Sequence, residues 1–250
     1  MKQRPYILTI AGFDPSNGAG LTADVKTFEQ LKCYGLSVCT ANTIQNDKEF
    51  LKCDWIDIET ILEQIQVLFD RFSVTTVKIG IVEDWQKLSK IIDTVLQLNP
   101  DAKIILDPVL KSSTGFVFQN DFKESDFDEI LGKIYLITPN YQEIQNLYQA
   151  KTIEETIHHI QSKANLFLKG GHHPEKIGVD YLYTNEGKMH PFNPKKGIKI
   201  FEKHGSGCVL SSAIASYIAL KYPLVKSCFK GKRYIEKVLS SNKTLLGYHN

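Results

Sequence analysis

"YILTIAG" at residues 6–12 runs directly into "GFDPSNGAG" at 12–20 and then into "LTADVKTFEQL" at 21–31. The first piece is a short apolar run with β-branched residues, closed by glycine, which reads as a buried strand. The second is a wide glycine-rich turn opened by Asp14-Pro15, and the third is helix-like. Whether this strand–turn–helix unit recurs decides the fold.

It does recur. "LSVCTANTI" (36–44), "TTVKIG" (75–80), "KIILD" (103–107), "IYLIT" (134–138) and "NLFLKGG" (165–171) read as further buried strands. Between them, "DIETILEQIQVLFDRF" carries Ile58, Ile61, Leu62, Ile65, Leu68 and Phe69 on one helical stripe, and "DWQKLSKIIDTVLQL" does the same through Leu88, Ile91, Ile92, Val95 and Leu96. Two more helical segments, about 206–220 and 225–241, close the chain. Repeated strand–helix alternation predicts an α/β domain with a mostly parallel sheet. "GVDYLYTNEGKMHPF" (178–192) flanks the turn-like "TNEG" and predicts an antiparallel pair at the sheet edge. With no repeat, low-complexity tract or linker, residues 1–250 read as one domain.

Composition narrows the function classes. Apolar residues make up 42% of the 250 and charged residues 23%, with a net charge of +2. No basic, aromatic-interleaved stretch suggests a nucleic-acid surface, and no apolar run reaches the ~20 residues that cross a bilayer. The five cysteines (Cys33, Cys39, Cys53, Cys208, Cys228) lack CxxC pairing and are odd in number, which fits reduced thiols in a cytoplasmic enzyme.

Ligands of open parallel sheets bind beyond the carboxyl ends of the strands. Here those positions are polar: "GFDPSNGAG", "QND", "DPVLKSSTG", "TPNYQE" and "KGGHH" each follow a strand. Asp107 and Glu143 are carboxylates of the kind magnesium uses together with waters and phosphates, although either alone could be a turn or helix-start charge. Lys169, ending a buried strand, needs an anionic partner, for which phosphate is apt. "GFDPSNGAG" matches neither the P-loop nor GxGxxG; it is either a wide turn or backbone fitted closely around a small ligand. "HH" at 172–173 and the pair His158–His159 lack metal-ligand spacing and read as loop and polar helix.

"HGSGCVLSSAI" (204–214) is the last such element. Glycines at a helix start expose unpaired N–H groups to an anion, and the helix dipole there is expected to lower the pKa of Cys208. A Gly-Ser cap with a small packed cysteine explains the stretch about equally well.

Taken as a set, "TIAGFDPSNGAGLTADVKTFEQL", "QN", "KIG", "LDPV", "LITPNYQE", "LKGGH" and "HGSGCVLSSAIA" resemble, in order and spacing, the hydroxymethylpyrimidine/phosphomethylpyrimidine kinases of thiamine biosynthesis. The resemblance spans residue 5 to about 240. It implies a ribokinase-like three-layer α/β/α sandwich, ATP and Mg2+ as cofactors, a small aminopyrimidine alcohol or its phosphate as partner, and a homodimer. By the same resemblance, the amides of Gly205, Ser206 and Gly207 form an anion hole and Cys208 is the catalytic base. Lys169 and Asn140 contact ATP phosphates, and Asp107 and Glu143 organise magnesium. Gln45, Ala19, Asp24, Thr43, Ile81 and Val109 surround the substrate. Ser206 stands where threonine is usual, Asn17 where glycine is common, Ile81 where methionine is frequent, and Thr43 where an apolar residue is found. These departures touch the ring pocket more than the phosphate site. A pyridoxal or pyridoxine kinase, whose substrate has a ring and hydroxymethyl group of similar size, is the nearest alternative, and a non-catalytic binding protein on the same fold is the second. "KSSTG" (111–115) and residues 171–176 are the candidate lids.

Overall fold

The inner strands read as apolar runs because each is covered on both faces. The computed structural model describes residues 3–111, 118, 123–171 and 176–249. Both lid candidates fall largely outside those residues, as does the His172–His173 pair.

Nine strands form one sheet: β1 (Tyr6–Phe13), β2 (Tyr34–Gln45), β3 (Phe50–Trp55), β4 (Val74–Ile79), β5 (Lys103–Leu106), β6 (Leu136–Ile137), β7 (Asn165–Leu168), β8 (Asp180–Tyr183) and β9 (Met189–Phe192). Their spatial order is β3-β2-β1-β4-β5-β6-β7-β8-β9 among the described residues. β2, β1, β4, β5, β6 and β7 run parallel. The edges are antiparallel: β8 and β9 form the hairpin expected at "TNEG", turning through Gly187 at φ 81°. The opposite edge carries a second antiparallel pair, β2 with β3, that the sequence reading does not anticipate.

The helices are α1 (Gly20–Gln30), α2 (Ile58–Arg71), α3 (Trp85–Leu98), α4 (Glu124–Leu131), α5 (Tyr141–Asn146), α6 (Ile153–Gln161), α7 (Ser206–Ala219) and α8 (Leu224–Ser240). Strand periodicity sorts their partners. Leu8, Ile10, Ile104, Leu106, Ile137, Leu166 and Leu168 face a core shared with Ile61, Ile91, Phe127, Ile144 and Ile157 of the α2–α6 layer. Ile7, Ile105, Leu136 and Phe167 point the other way, onto Ala23, Phe28, Ile214 and Ile235 of α1, α7 and α8. The result is the expected three-layer sandwich. Burying an isoleucine such as Ile91 completely is worth about 1.5–3 kcal/mol in transfer alone, so the two cores supply the main driving force.

The chain beyond α8 folds back onto the strand carboxyl ends. Lys203 anchors it, donating to the Asn242 and Thr244 carbonyls at 2.8 and 2.7 Å. His249 reaches Tyr234 and α1, with its Nδ1 2.9 Å from the Tyr234 hydroxyl and 3.4 Å from the Thr27 hydroxyl. Burial, reinforced by the charge of Lys26, pushes the His249 pKa down to about 4. A histidine whose folded pKa lies below its unfolded value stabilises the fold above pH ~6.5 and loses that contribution as pH falls toward the folded value. Melting temperature followed from pH 7 to about 4.5 should therefore drop more steeply in the wild type than in His249→Gln. Parallel curves would remove the tail histidine from the account.

Candidate active site

Two opposite charges sit where a parallel sheet opens, between the ends of β5 and β7. The Lys169 ammonium donates to Asp107 Oδ1 at 2.7 Å and lies 3.7 Å from Glu143 Oε2. Thr138 and Ser211 also donate to the Asp107 carboxylate, at 3.2 and 3.1 Å. Burial would raise the Asp107 pKa, but Lys169 and Lys78 outweigh it and hold the carboxyl below its usual range. Burial and the neighbouring Asp107 charge push Glu143 up, with Lys169 opposing them. Lys169 itself is raised despite burial, because both carboxylates favour its charged form. A Cβ added at Gly207 would meet Lys169 Nζ at 3.3 Å, so the lysine reaches the start of α7.

Asn140 and Glu143 come together through a reciprocal cap. Asn140 Oδ1 accepts from the Gln142 and Glu143 amides, while Glu143 Oε2 accepts from the Asn140 amide at 2.7 Å. With Oδ1 so used, the side-chain amide of Asn140 is its remaining donor. A bridge between Asn140 and Lys169 holds these two neighbours in register.

At the start of α7, Gly205 adopts φ 70°, the left-handed conformation open to glycine. A Cβ there would stand 2.1 Å from the Gly18 carbonyl and 2.6 Å from Ala19 Cα. The 14–20 loop and the helix start thus meet backbone to backbone. Gly20, at φ 60°, is pressed as closely on the Gly12 carbonyl, 2.2 Å from its notional Cβ. Asn17 also lies in the left-handed region, at φ 59°, which asparagine tolerates better than most residues.

Cys208 departs from expectation. It sits in the first turn of α7 and keeps partial solvent access, yet its thiol is pushed up to about 11. Burial is the largest cause, and the charges of Asp107 and Asp24 add to it; Lys78 and the Gly20 amide pull the other way without prevailing. The helix dipole does not produce the lowered thiol that the sequence suggests.

Asp24 has no exposed surface, and its oxygens accept from Thr9 (2.6 Å), Lys78 (2.9 Å) and Ser212 (2.6 Å), so it is the buried partner of Lys78. The other residues expected around the ring lie at or just beyond the ends of β1, β2, β4 and β5. Thr43 donates to the Phe13 carbonyl at 2.7 Å and receives Gln45 Nε2 at 2.8 Å, leaving the Gln45 carbonyl as an acceptor. Ile81 packs over Gly12, whose notional Cβ would lie 2.5 Å from Ile81 Cδ1. Ala19 and Val109 are half-buried at the ends of the neighbouring loops. Lys78 and Asp14, which sequence reasoning misses, are central; a lysine in a buried-looking strand is the available signal for the first.

Among the described residues no group of three or more His, Cys, Asp and Glu could cage a metal. The Asp107–Glu143 pair instead suits an ion that takes one or two carboxylates and completes its shell with water and phosphate. A groove of about 450 Å³ lined by Tyr135, Asn165, Thr184 and His190 lies at the opposite end of the strands and contains no candidate residue. No helix among the described residues is long and apolar enough to cross a membrane.

A family model described as phosphomethylpyrimidine kinase matches residues 14–250. The hydroxymethylpyrimidine/phosphomethylpyrimidine kinase of Aquifex aeolicus is 33% identical, over 95% of either chain. The crystal structure of a Clostridium difficile phosphomethylpyrimidine kinase superposes with a TM-score of 0.77 at 29% identity, covering 93% of this chain and 98% of the other. The pyridoxal kinase of Staphylococcus aureus, solved with pyridoxal, reaches a TM-score of 0.83 at 20% identity, over 98% of this chain and 92% of that one. At that identity the likeness is one of fold.

Proposed function

The chain belongs to the phosphomethylpyrimidine kinase family, and we propose that it transfers the terminal phosphoryl group of ATP to the hydroxymethyl oxygen of 4-amino-5-hydroxymethyl-2-methylpyrimidine. The monophosphate then receives a second phosphoryl group, in thiamine biosynthesis. The observation that carries this reading is the convergence of Lys169, Asp107 and Glu143 on the glycine-lined start of α7, beside Cys208.

The substrate hydroxyl oxygen attacks the γ-phosphorus, the bond to the β–γ bridging oxygen breaks, and ADP leaves. Cys208, as thiolate, takes the hydroxyl proton. Phosphoryl transfer asks the protein for position and charge compensation more than for covalent chemistry. The amides of Gly205, Ser206 and Gly207 supply donors to the charge on the transferring group; a preorganised donor of this kind contributes about 3–4 kcal/mol. Lys169 moves from its carboxylate partners toward the phosphates, and the Asn140 side-chain amide adds a neutral donor. Asp107 and Glu143 would hold magnesium and its waters, and the ion would supply charge neutralisation for the phosphates. Gln45 presents its amide to the aminopyrimidine edge, with Ala19, Thr43, Ile81 and Val109 around the ring.

A reduced, cytoplasmic setting belongs to the same reading, supported by five free cysteines. So does a homodimer, supported by the edge pair β2–β3, where Ile44 is 51% and Leu51 68% exposed. Light scattering tests the latter. The central test is ADP release with ATP and magnesium, offering the pyrimidine alcohol, its monophosphate and pyridoxal in parallel. Turnover on the two pyrimidines is expected. Turnover on pyridoxal alone would move the substrate to the vitamin B6 class, and no turnover on any would overturn the kinase reading.

A further inference from the structure

Asp14 has no exposed surface, and its carboxylate gathers five donors. Four are local: the Ser16 amide at 2.8 Å, the Ser16 hydroxyl at 2.9 Å, the Gly18 amide at 3.2 Å and the Ala19 amide at 2.8 Å. These hold the 14–20 loop in shape. The fifth is Nε2 of His204, at 2.9 Å and 190 residues away, immediately before the glycine that caps α7. A carboxylate only accepts, so Nε2 carries the proton in this contact. Burial would raise the Asp14 pKa, but the bonds from His204, Ser16 and Ala19 prevail and keep the carboxyl below its usual range.

The contact lies where two parts of the site must be held in register. The His204 ring fills the space a Cβ on Gly18 would take, 2.6 Å from Cδ2, with Leu246 of the returning tail 2.8 Å away. The His204 amide donates to the Leu245 carbonyl at 2.9 Å, which ties the residue to that tail. One loop carries Ala19 against the ring pocket; the other carries the Gly205–Gly207 amides. Their relative position fixes the distance from a substrate hydroxyl to a bound phosphoryl group.

We propose that Asp14 and His204 are a positioning pair that locks the ring-enclosing loop onto the phosphoryl-binding start of α7. The inference rests on the function proposed above, and neither residue touches the reacting atoms. A misplacement of about 1 Å at such a junction costs roughly 10²-fold in rate.

The test compares His204→Ala, His204→Gln and Asp14→Asn with the wild-type enzyme. Glutamine places an amide nitrogen within reach of the same carboxylate. In His204→Ala, kcat on the pyrimidine alcohol should fall roughly 30- to 100-fold while KM for ATP stays within about threefold. ADP released per phosphorylated pyrimidine should rise, because a misaligned alcohol gives way to water. His204→Gln should recover about tenfold of the loss, and Asp14→Asn should resemble the alanine variant. Wild-type-like turnover and coupling in His204→Ala, or no recovery in His204→Gln, would overturn the pair. Amide hydrogen exchange at Gly18 and Ala19 without substrate provides a reading independent of the reaction. Exchange should quicken in His204→Ala and slow again in His204→Gln, and unchanged exchange would overturn the pair whatever the substrate is.

Discussion

Cys208→Ala is expected to lower turnover of the pyrimidine alcohol about 10³-fold, within the range that a positioned general base contributes. The amides at the start of α7 and the proposed ATP and alcohol sites stay in place, so KM for ATP should change by less than about threefold. Cys208→Ser keeps the volume but replaces the thiol by a far weaker acid, and should fall between the alanine variant and the wild type. The raised thiol gives this prediction a pH signature. With a pKa of about 11, the thiolate is a minor species at neutral pH and its fraction grows about tenfold per pH unit. Wild-type kcat/KM for the alcohol should therefore climb from about pH 7 to 9 without a plateau, and the residual activity of Cys208→Ala should be flat over the same range. A plateau below about pH 8 would show that the charge balance around the thiol has been misjudged. Alanine activity within about tenfold of wild type would remove Cys208 as the base.

That pH signature depends on something the sequence hides. A cysteine in the first turn of a helix suggests a lowered pKa, and the local reading stops there. Asp107 and Asp24, which help reverse the direction, belong to other elements, and their distance from Cys208 is set by how β5, α1 and α7 pack. The same limit explains the other misses. The bond from Lys78 to Asp24, across 54 positions, is not visible in the α1 sequence. Asp14 and His204 each look like ordinary loop residues, because a bond spanning 190 positions leaves no trace in either segment. β3 escapes notice because "FLKCDW" is a half-exposed antiparallel edge and lacks the apolar run that marks the inner strands. Where a strand is covered on both faces, as "KIIL" is, the run itself is the signal, and layer and order follow from the alternation with amphipathic helices. The polar residues after those strands are likewise legible, since a parallel sheet delivers all its carboxyl ends to one side.

Lys169→Met carries the second large effect, and it separates what the lysine does for the fold from what it does for the reaction. Methionine keeps much of the length and loses the charge, so Asp107 and Glu143 share the cleft with Lys78 as the remaining cation acting on Asp107. Removing one partner of a buried pair costs about 3–5 kcal/mol, and a lower melting temperature is expected. Its pH dependence should have the opposite sign to that of an ordinary paired carboxylate. In the wild type Asp107 is held below its usual pKa, and its contribution is lost on acidification; in the variant, uncompensated carboxylates take up protons more readily in the folded state, so mild acid should narrow the stability gap between the two proteins. Adding Asp107→Asn removes the stranded charge and should restore most of the melting temperature. Turnover should not return with it. Loss of a cation aimed at the phosphates should cost roughly 10²–10³-fold in Lys169→Met assayed well below its melting temperature. The double variant, stable again, should remain at least that impaired in a coupled ADP assay, and Asp107→Asn alone, which keeps the lysine, gives the share due to the lost carboxylate. Restored stability with restored turnover would mean that Lys169 only neutralises Asp107, and the phosphate contact would have to be assigned to another group.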